Sequence, residues 1–232
     1  MRIRPVKRLR GSLRLPGDKS VSHRAAIIAA LAQGSTRLDN FSTSQDCAAT
    51  LSCLRQLGVK IEREGAGVTV EGSGPEGLRA PLEPLDCGNS GSTMRMLAGV
   101  LAAQDFVSEL TGDESLRARP MQRIIEPLTQ MGASISSTDG RAPLIITGRR
   151  PLKHISYRMP VKSAQVKSCI LLAGLGADGR TEVIEETAST RDHTERLLGW
   201  FKVPLKRESE AVDAPTQKIS LRGLSTPQAR DI

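Results

Sequence analysis

The sequence predicts an α/β protein made of three pseudo-symmetric copies of a βαβαββ unit. Three recurring observations carry that prediction. An apolar helical stretch follows a polar Gly/Ser turn three times, over residues 25–32, 94–103 and 166–175. A second, amphipathic helix ends each time on a similar phrase: Leu57-Gly58-Val59, Met131-Gly132-Ala133 and Phe201-Lys202-Val203. Two short alternating strands then close the unit and stop at Gly72, Gly148 and Gly223, which recur about every 75 residues.

Taken in order, the copies cover about 14–72, 73–148 and 149–224. The closing strands are expected at 61–64 with 68–71, 133–136 with 144–147, and 204–208 with 218–221. Ile3, Pro5 and Val6 read as an N-terminal edge strand within residues 1–13, and residues 225–232 as a crossover leading away. The apolar helices should form the core. Their entry turns share one chemistry: Lys19, Ser20, Ser22 and Arg24; Asn89, Ser90, Ser92 and Arg95; Lys162, Ser163, Gln165 and Lys167. Ser and Asn suit helix caps. Caps do not account for a cation in all three turns, because Lys and Arg oppose the positive end of a helix dipole. Three gathered helix starts would receive a polyanion.

The second helices are expected to begin at Ser44-Gln45-Asp46, Arg117-Ala118-Arg119-Pro120 and Thr190-Arg191-Asp192. Pro120 suits a first turn. Asp46 and Asp192 read as caps, and His193 and Glu195 as a solvated first turn. Arg119 and Arg191 read as ligand contacts. Glu126, Glu185 and Glu186 read as surface or helix residues.

Composition narrows the partner. Lys+Arg number 33 against 25 Asp+Glu, a net charge of +8, which favours an anion. Phe41, Phe106, Tyr157, Trp200 and Phe201 are the only aromatics, a poor platform for stacked single-stranded bases. Charge-driven duplex binding stays open, as does a small phosphorylated or carboxylated metabolite. No stretch approaches the ~20 apolar residues of a membrane span. Cys47, Cys53, Cys87 and Cys169 form no CxxC pair, so neither a metal nor a cofactor is expected, and the thiols read as reduced. The basic start lacks the apolar run of a signal peptide, so a cytoplasmic location is expected.

Five phrases, in order along essentially the whole chain, carry a family likeness. They are residues 15–24 (LPGDKSVSHR), 88–95 (GNSGSTMR), 110–121 (LTGDESLRARPM), 163–168 (SAQVKS) and 190–195 (TRDHTE). Together they resemble the signatures of the EPSP synthase family of enolpyruvyl transferases. The resemblance implies an inside-out α/β barrel fold of two lobes, each of three βαβαββ units, with substrates in the cleft between them. It implies transfer of the enolpyruvyl group of phosphoenolpyruvate to the 5-hydroxyl of shikimate 3-phosphate. Carried over, Lys19, Ser20, Arg24, Ser163, Ala164, Gln165 and Arg191 would hold shikimate 3-phosphate, with Ser163 and Arg191 at the phosphate. Lys19, Gly91 and Arg119 would face phosphoenolpyruvate, on a loop supported by Asn89, Ser92 and Arg95. Lys19 is the catalytic candidate, if burial beside other cations lowers its pKa. Gly91 implies a pocket that admits glyphosate.

The family's chain is roughly twice as long, so this sequence is expected to be the first lobe, natural or cut. It would bind shikimate 3-phosphate weakly, with little or no turnover, unless a complementary lobe joins it. Two alternatives stand beside this reading. One is a lobe of the related transferase acting on a UDP-sugar; the other is a basic RNA-binding module built of the same units.

Overall fold

The computed structural model describes residues 8, 10–13, 15–186, 190–210 and 216–232. The expected strand at Ile3, Pro5 and Val6 lies outside the described residues. The elements run α1 (Lys19–Ala30), β1 (Gln33–Leu38), α2 (Gln45–Gln56), β2 (Lys60–Glu64), β3 (Gly67–Ser73), β4 (Leu85–Asp86), α3 (Gly91–Ala102), β5 (Val107–Thr111), α4 (Glu114–Arg117), α5 (Gln122–Gln130), β6 (Ser134–Thr138), β7 (Arg141–Thr147), β8 (Ser156–Arg158), α6 (Ala164–Gly174), β9 (Arg180–Glu185), α7 (His193–Trp200), β10 (Leu205–Glu210) and β11 (Thr216–Arg222).

The repeat is realised as three sheets with one topology. Their strand orders are β1-β3-β2, β4-β5-β7-β6 and β8-β9-β11-β10. In the second and third, the opening strand pairs in parallel with the next, β4 with β5 and β8 with β9; the remaining ladders are antiparallel. The first sheet has no opening strand among the described residues. Its place beside β1 is taken by the C-terminal residues. Gln33 donates to the Pro227 carbonyl (2.9 Å), Ala229 to Gln33 (3.2 Å), Ile232 to Arg37 (2.9 Å) and Asp39 to Ile232 (2.7 Å), and the Gln33–Gln228 bridge is parallel. Residues 225–232, expected to lead away, therefore run back along the first unit. The edge of β1 carries unpaired N–H and C=O groups, and this segment satisfies them.

The landmarks of the repeat have steric causes. A Cβ on Gly72 would sit 2.2 Å from the Ala29 carbonyl oxygen, on Gly148 2.3 Å from that of Gln104, and on Gly223 2.0 Å from that of Ala177. Each glycine marks where a closing strand crosses the end of its unit's first helix, too close for a side chain. The phrase closing each second helix holds a residue with φ above zero: 89° at Gly58, 99° at Gly132 and 64° at Lys202. This is the left-handed conformation that ends helices, and the third copy reaches it without glycine.

Helices α1, α3 and α6 are buried nearly all round, as continuous apolar runs require. α3 meets α6 at Gly99, where a Cβ would lie 2.2 Å from the Cys169 carbonyl oxygen. All four cysteines are free and buried. One boundary differs from expectation. Residues 117–120 do not start the second helix of the middle unit. Asp113 caps the separate single turn α4 through the Leu116 N–H (2.7 Å), and Pro120 lies in the connection before α5.

Candidate functional site

The repeat brings the starts of α1, α3 and α6 together. Their N-caps are Asp18, Ser90 and Ser163, each in extended backbone, each accepting from the N–H three residues on. Ser163 spends a lone pair on Val166 (3.3 Å), leaving its hydroxyl proton to donate outward. Side chains of the three starts then bond across. On α6, Gln165 donates to Ser92 Oγ of α3 (2.8 Å) and accepts from Arg95 Nη1 (2.8 Å). On α1, Arg24 reaches α6 and α7: Nε to Thr194 Oγ1 (2.7 Å), Nη2 to Ser168 Oγ (2.9 Å) and to the Ala164 carbonyl (3.5 Å), Nη1 to the Ser20 carbonyl (2.9 Å). Arg191, just before α7, donates to Ser20 Oγ (3.1 Å) and is exposed.

A neighbouring arrangement surrounds Gly91, the first residue of α3. Arg119 Nη2 donates to Asn89 Oδ1 (2.6 Å), and Asn89 Nδ2 to Asp113 (2.8 Å). A Cβ on Gly91 would point at two guanidinium groups, 2.7 Å from Arg95 Nη1 and 3.3 Å from Arg119 Nη1. Arg95 was expected within the loop; it stands on the first turns of α3 instead, and its Nη2 also reaches the Pro120 carbonyl (3.3 Å).

The electrostatics are those of crowded cations. Burial and then the nearby Arg191 pull the Arg24 pKa down to about 10. Burial lowers that of Arg95, with Arg119 and Arg123 adding to the effect. Like charges held together in this way favour an arriving anion.

Beneath this face lies a polar layer. His23 Nδ1 is 2.7 Å from Thr50 Oγ1, which is 2.7 Å from Thr93 Oγ1, which donates to Ser90 Oγ (2.7 Å). The chain of bonds links the starts of α1 and α3 through α2. His23 is fully buried and its Nε2 has no partner; burial lowers its pKa to about 4.

Several expectations are corrected here. Lys19 is half-exposed and paired with Asp46 (2.9 Å), instead of buried among cations. Asp46 is not the cap of α2; Ser44 is, which frees the Asp46 carboxylate for that pair. Asp192 occupies the cap position of α7 without capping, because its carboxylate turns to Arg207 (3.4 Å). Glu195 and Glu185 are buried rather than solvated or on the surface. Both pair with Lys167, itself wholly buried and not presented to a ligand (Nζ–Oε2 2.9 Å to Glu185, Nζ–Oε1 2.7 Å to Glu195). A charged residue inside an otherwise apolar helix was the available signal for this cluster, since a buried lysine needs a counter-ion. Thr194, Ser168, Thr50 and Thr93 carried no such signal, because hydroxyl residues are common on any helix.

The candidate face is open. A cavity of about 440 Å³ lies to one side, between α1 and α7, lined by Val21, His193, Leu197 and Trp200. Among the described residues, no group of three or more His, Cys, Asp or Glu side chains could hold a metal ion, and no helix is long and apolar enough to cross a membrane.

Residues 3–223 match the family described as EPSP synthase (3-phosphoshikimate 1-carboxyvinyltransferase). The chain belongs to the EPSP synthase family. A 3-phosphoshikimate 1-carboxyvinyltransferase of Alkalilimnicola ehrlichii is 55% identical over 212 residues, 90% of this chain and 47% of that one. One from Solibacter usitatus is 48% identical over 231 residues, 100% of this chain and 52% of that one. An EPSP synthase structure from Acinetobacter baumannii superposes with a TM-score of 0.89 at 48% identity, over 96% of this chain and 49% of that chain. The chain thus spans about half the length of the EPSP synthases it matches.

Proposed function

We propose that this chain is the shikimate-3-phosphate-binding lobe of an enolpyruvyl transferase. The observation that carries the reading is the meeting of Ser20, Arg24, Ser163, Gln165 and Arg191 from the starts of α1 and α6 and the segment before α7, with Arg191 bonded to Ser20 at 3.1 Å. Ser163, with its free hydroxyl proton, and the exposed Arg191 take the phosphate. Ser20 and Arg24 meet the ring hydroxyls and carboxylate, beside Ala164 and Gln165. Arg24 needs little reorganisation, because its guanidinium is already fixed by Thr194 and Ser168. Lys19, Gly91 and Arg119 face phosphoenolpyruvate, over the support of Asn89, Ser92 and Arg95.

In the reaction, the 5-hydroxyl of shikimate 3-phosphate adds to phosphoenolpyruvate through a tetrahedral intermediate, and phosphate leaves. The lobe's part is to hold two anions against their repulsion, which its arginine crowd favours. Lys19, half-exposed and paired with Asp46, stands at the phosphoenolpyruvate side as the proton-transfer candidate of this half. A complementary lobe supplies the rest, so the chain alone binds shikimate 3-phosphate with little turnover. Glyphosate is a competitor at the Gly91 side of the complete site.

Calorimetric titration with shikimate 3-phosphate, wild type against Arg191→Ala, tests this reading. Loss of one charge-assisted hydrogen bond, about 1.5–3 kcal/mol, predicts binding weakened roughly 10- to 150-fold. Equal affinity in the two proteins, or binding of a UDP-sugar in place of shikimate 3-phosphate, would overturn it.

A further inference from the structure

We propose that Lys167 is a positioning residue for Arg191, through a buried ion cluster that fixes the backbone on either side of it. The inference rests on the reading above, in which Arg191 holds the phosphate.

Lys167 lies one turn into α6, its side chain fully buried, and its ammonium has three acceptors. They are Glu185 Oε2 at the end of β9 (2.9 Å), Glu195 Oε1 in the first turn of α7 (2.7 Å) and the Thr190 carbonyl (3.5 Å). Glu185 uses its second oxygen, Oε1, to accept from the Thr190 N–H (3.1 Å). Both backbone groups of Thr190 are thereby held by one ion pair, and the same ammonium holds Glu195. Arg191 is the residue after Thr190 and four before Glu195. It is bracketed by two points that Lys167 joins.

Charge supports the assignment. Among the described residues, the buried ions are Lys167 and Arg24 against Glu185 and Glu195, and Glu195 stabilises the charged form of Arg24. The buried set is therefore neutral. Arg191, exposed at its edge, adds a positive charge that this set does not neutralise. A lysine at full burial is worth its desolvation only with good partners. Here the partners all belong to the segment that carries Arg191 or to its flanks. The Lys167 side chain thus transmits the position of α6, whose cap is Ser163, to Arg191. The two groups assigned to one phosphate share a rigid connection that involves no ligand.

The single change Lys167→Met leaves two buried carboxylates without their cation and threatens the fold. The pair Lys167→Met with Glu185→Gln keeps the buried charge balanced, Arg24 against Glu195, and keeps an acceptor for Thr190. In this double variant, shikimate 3-phosphate should bind about tenfold more weakly in calorimetry, the loss of roughly one hydrogen bond to a charged group, while unphosphorylated shikimate binds as to wild type. Placed in an Arg191→Ala background, the double change should cost nothing further, since Lys167 acts through Arg191. Undiminished shikimate 3-phosphate binding, equal loss for both ligands, or the same loss without Arg191 would each overturn the proposal. A ligand-free readout separates it from the functional reading. The NMR order parameter of the Arg191 Nε–H should fall in the double variant. An unchanged value refutes the positioning role even if shikimate 3-phosphate binds, and a fall supports it even if the wild type binds no shikimate 3-phosphate, which would sink the functional reading alone.

Discussion

His23 gives the chain a specific acid sensitivity. It is fully buried, bonded to Thr50 on one side and orphaned at Nε2 on the other. Burial lowers its pKa from 6.5 to about 4; Lys19 and Arg24 add to the shift and Asp46 opposes it. The folded state therefore holds the neutral ring where the unfolded chain already takes a proton. Stability is complete above about pH 6.5, falls as the pH drops toward about 4, and changes no further from this group below that. The lowering is worth about 3 kcal/mol in total, most of it lost between about pH 7 and pH 4.5. Carboxylates titrate over the same range, so the quantity to read is a difference. Urea unfolding of wild type and His23→Asn at both pH values isolates it, since Asn keeps a polar group near Thr50 and does not titrate. Wild type should lose about 2 kcal/mol more than the variant. Equal losses refute the reasoning, as does an imidazole NMR titration of His23 with a midpoint near 6.5.

Three further outcomes follow from the geometry. Gly91→Ala places a methyl 2.7 Å from Arg95 Nη1, the far end of a flexible side chain that is bonded to Gln165. Unfolding free energy should shift by less than about 1 kcal/mol, helped by the better helix former, while glyphosate binding to a complete enzyme carrying the change weakens at least tenfold; unaltered glyphosate inhibition would count against the pocket assignment. Gly99→Ala directs a methyl at backbone, 2.2 Å from the Cys169 oxygen, so denaturant midpoints should report a loss of about 3 kcal/mol, and a loss under about 0.5 would mean that α3 and α6 separate freely. Deleting residues 227–232 removes four backbone hydrogen bonds to β1 and its end and the Asp231 carbonyl that accepts from Trp200 Nε1 (3.1 Å). Stability should fall by about 4 kcal/mol at roughly 1 kcal/mol per bond, read from the fluorescence of the single tryptophan; an unchanged midpoint would show that the segment does not complete the first sheet.

The threefold architecture was legible because its landmarks are backbone events. Gly72, Gly148 and Gly223 recur where a strand touches a helix end, and no side chain fits there. The phrases ending the second helices recur because each needs one left-handed residue. What was not legible depends on direction. Lys167 and Lys19 are both lysines at helix starts, yet one is buried between two glutamates and the other half-exposed beside Asp46. The partners lie 18 to 28 residues away in sequence, on other elements, so no local pattern joins them. The closing of the first sheet by residues 227–232 was hidden for the same reason, since a parallel pairing to β1 crosses nearly the whole chain.

The difference between the copies is also what makes a site. Asp18, Ser90 and Ser163 begin three equivalent helices, but the cations follow them at different intervals: Lys19 one residue on and Arg24 six, Arg95 five, Lys167 four. At about 100° per residue these intervals send the charges to different sides of equivalent helices. Lys167 therefore turns into the core and meets Glu185 and Glu195. Arg95 turns across to Gln165, and Arg24 lies under Ser20 against Thr194. An ideal threefold arrangement would present one cation type in three equal positions, suited to a symmetric anion. The observed one offers distinct surroundings: hydroxyls with Arg191 on one side, paired guanidinium groups around Gly91 on the other. The two surroundings differ through the phase of each side chain on a repeated backbone.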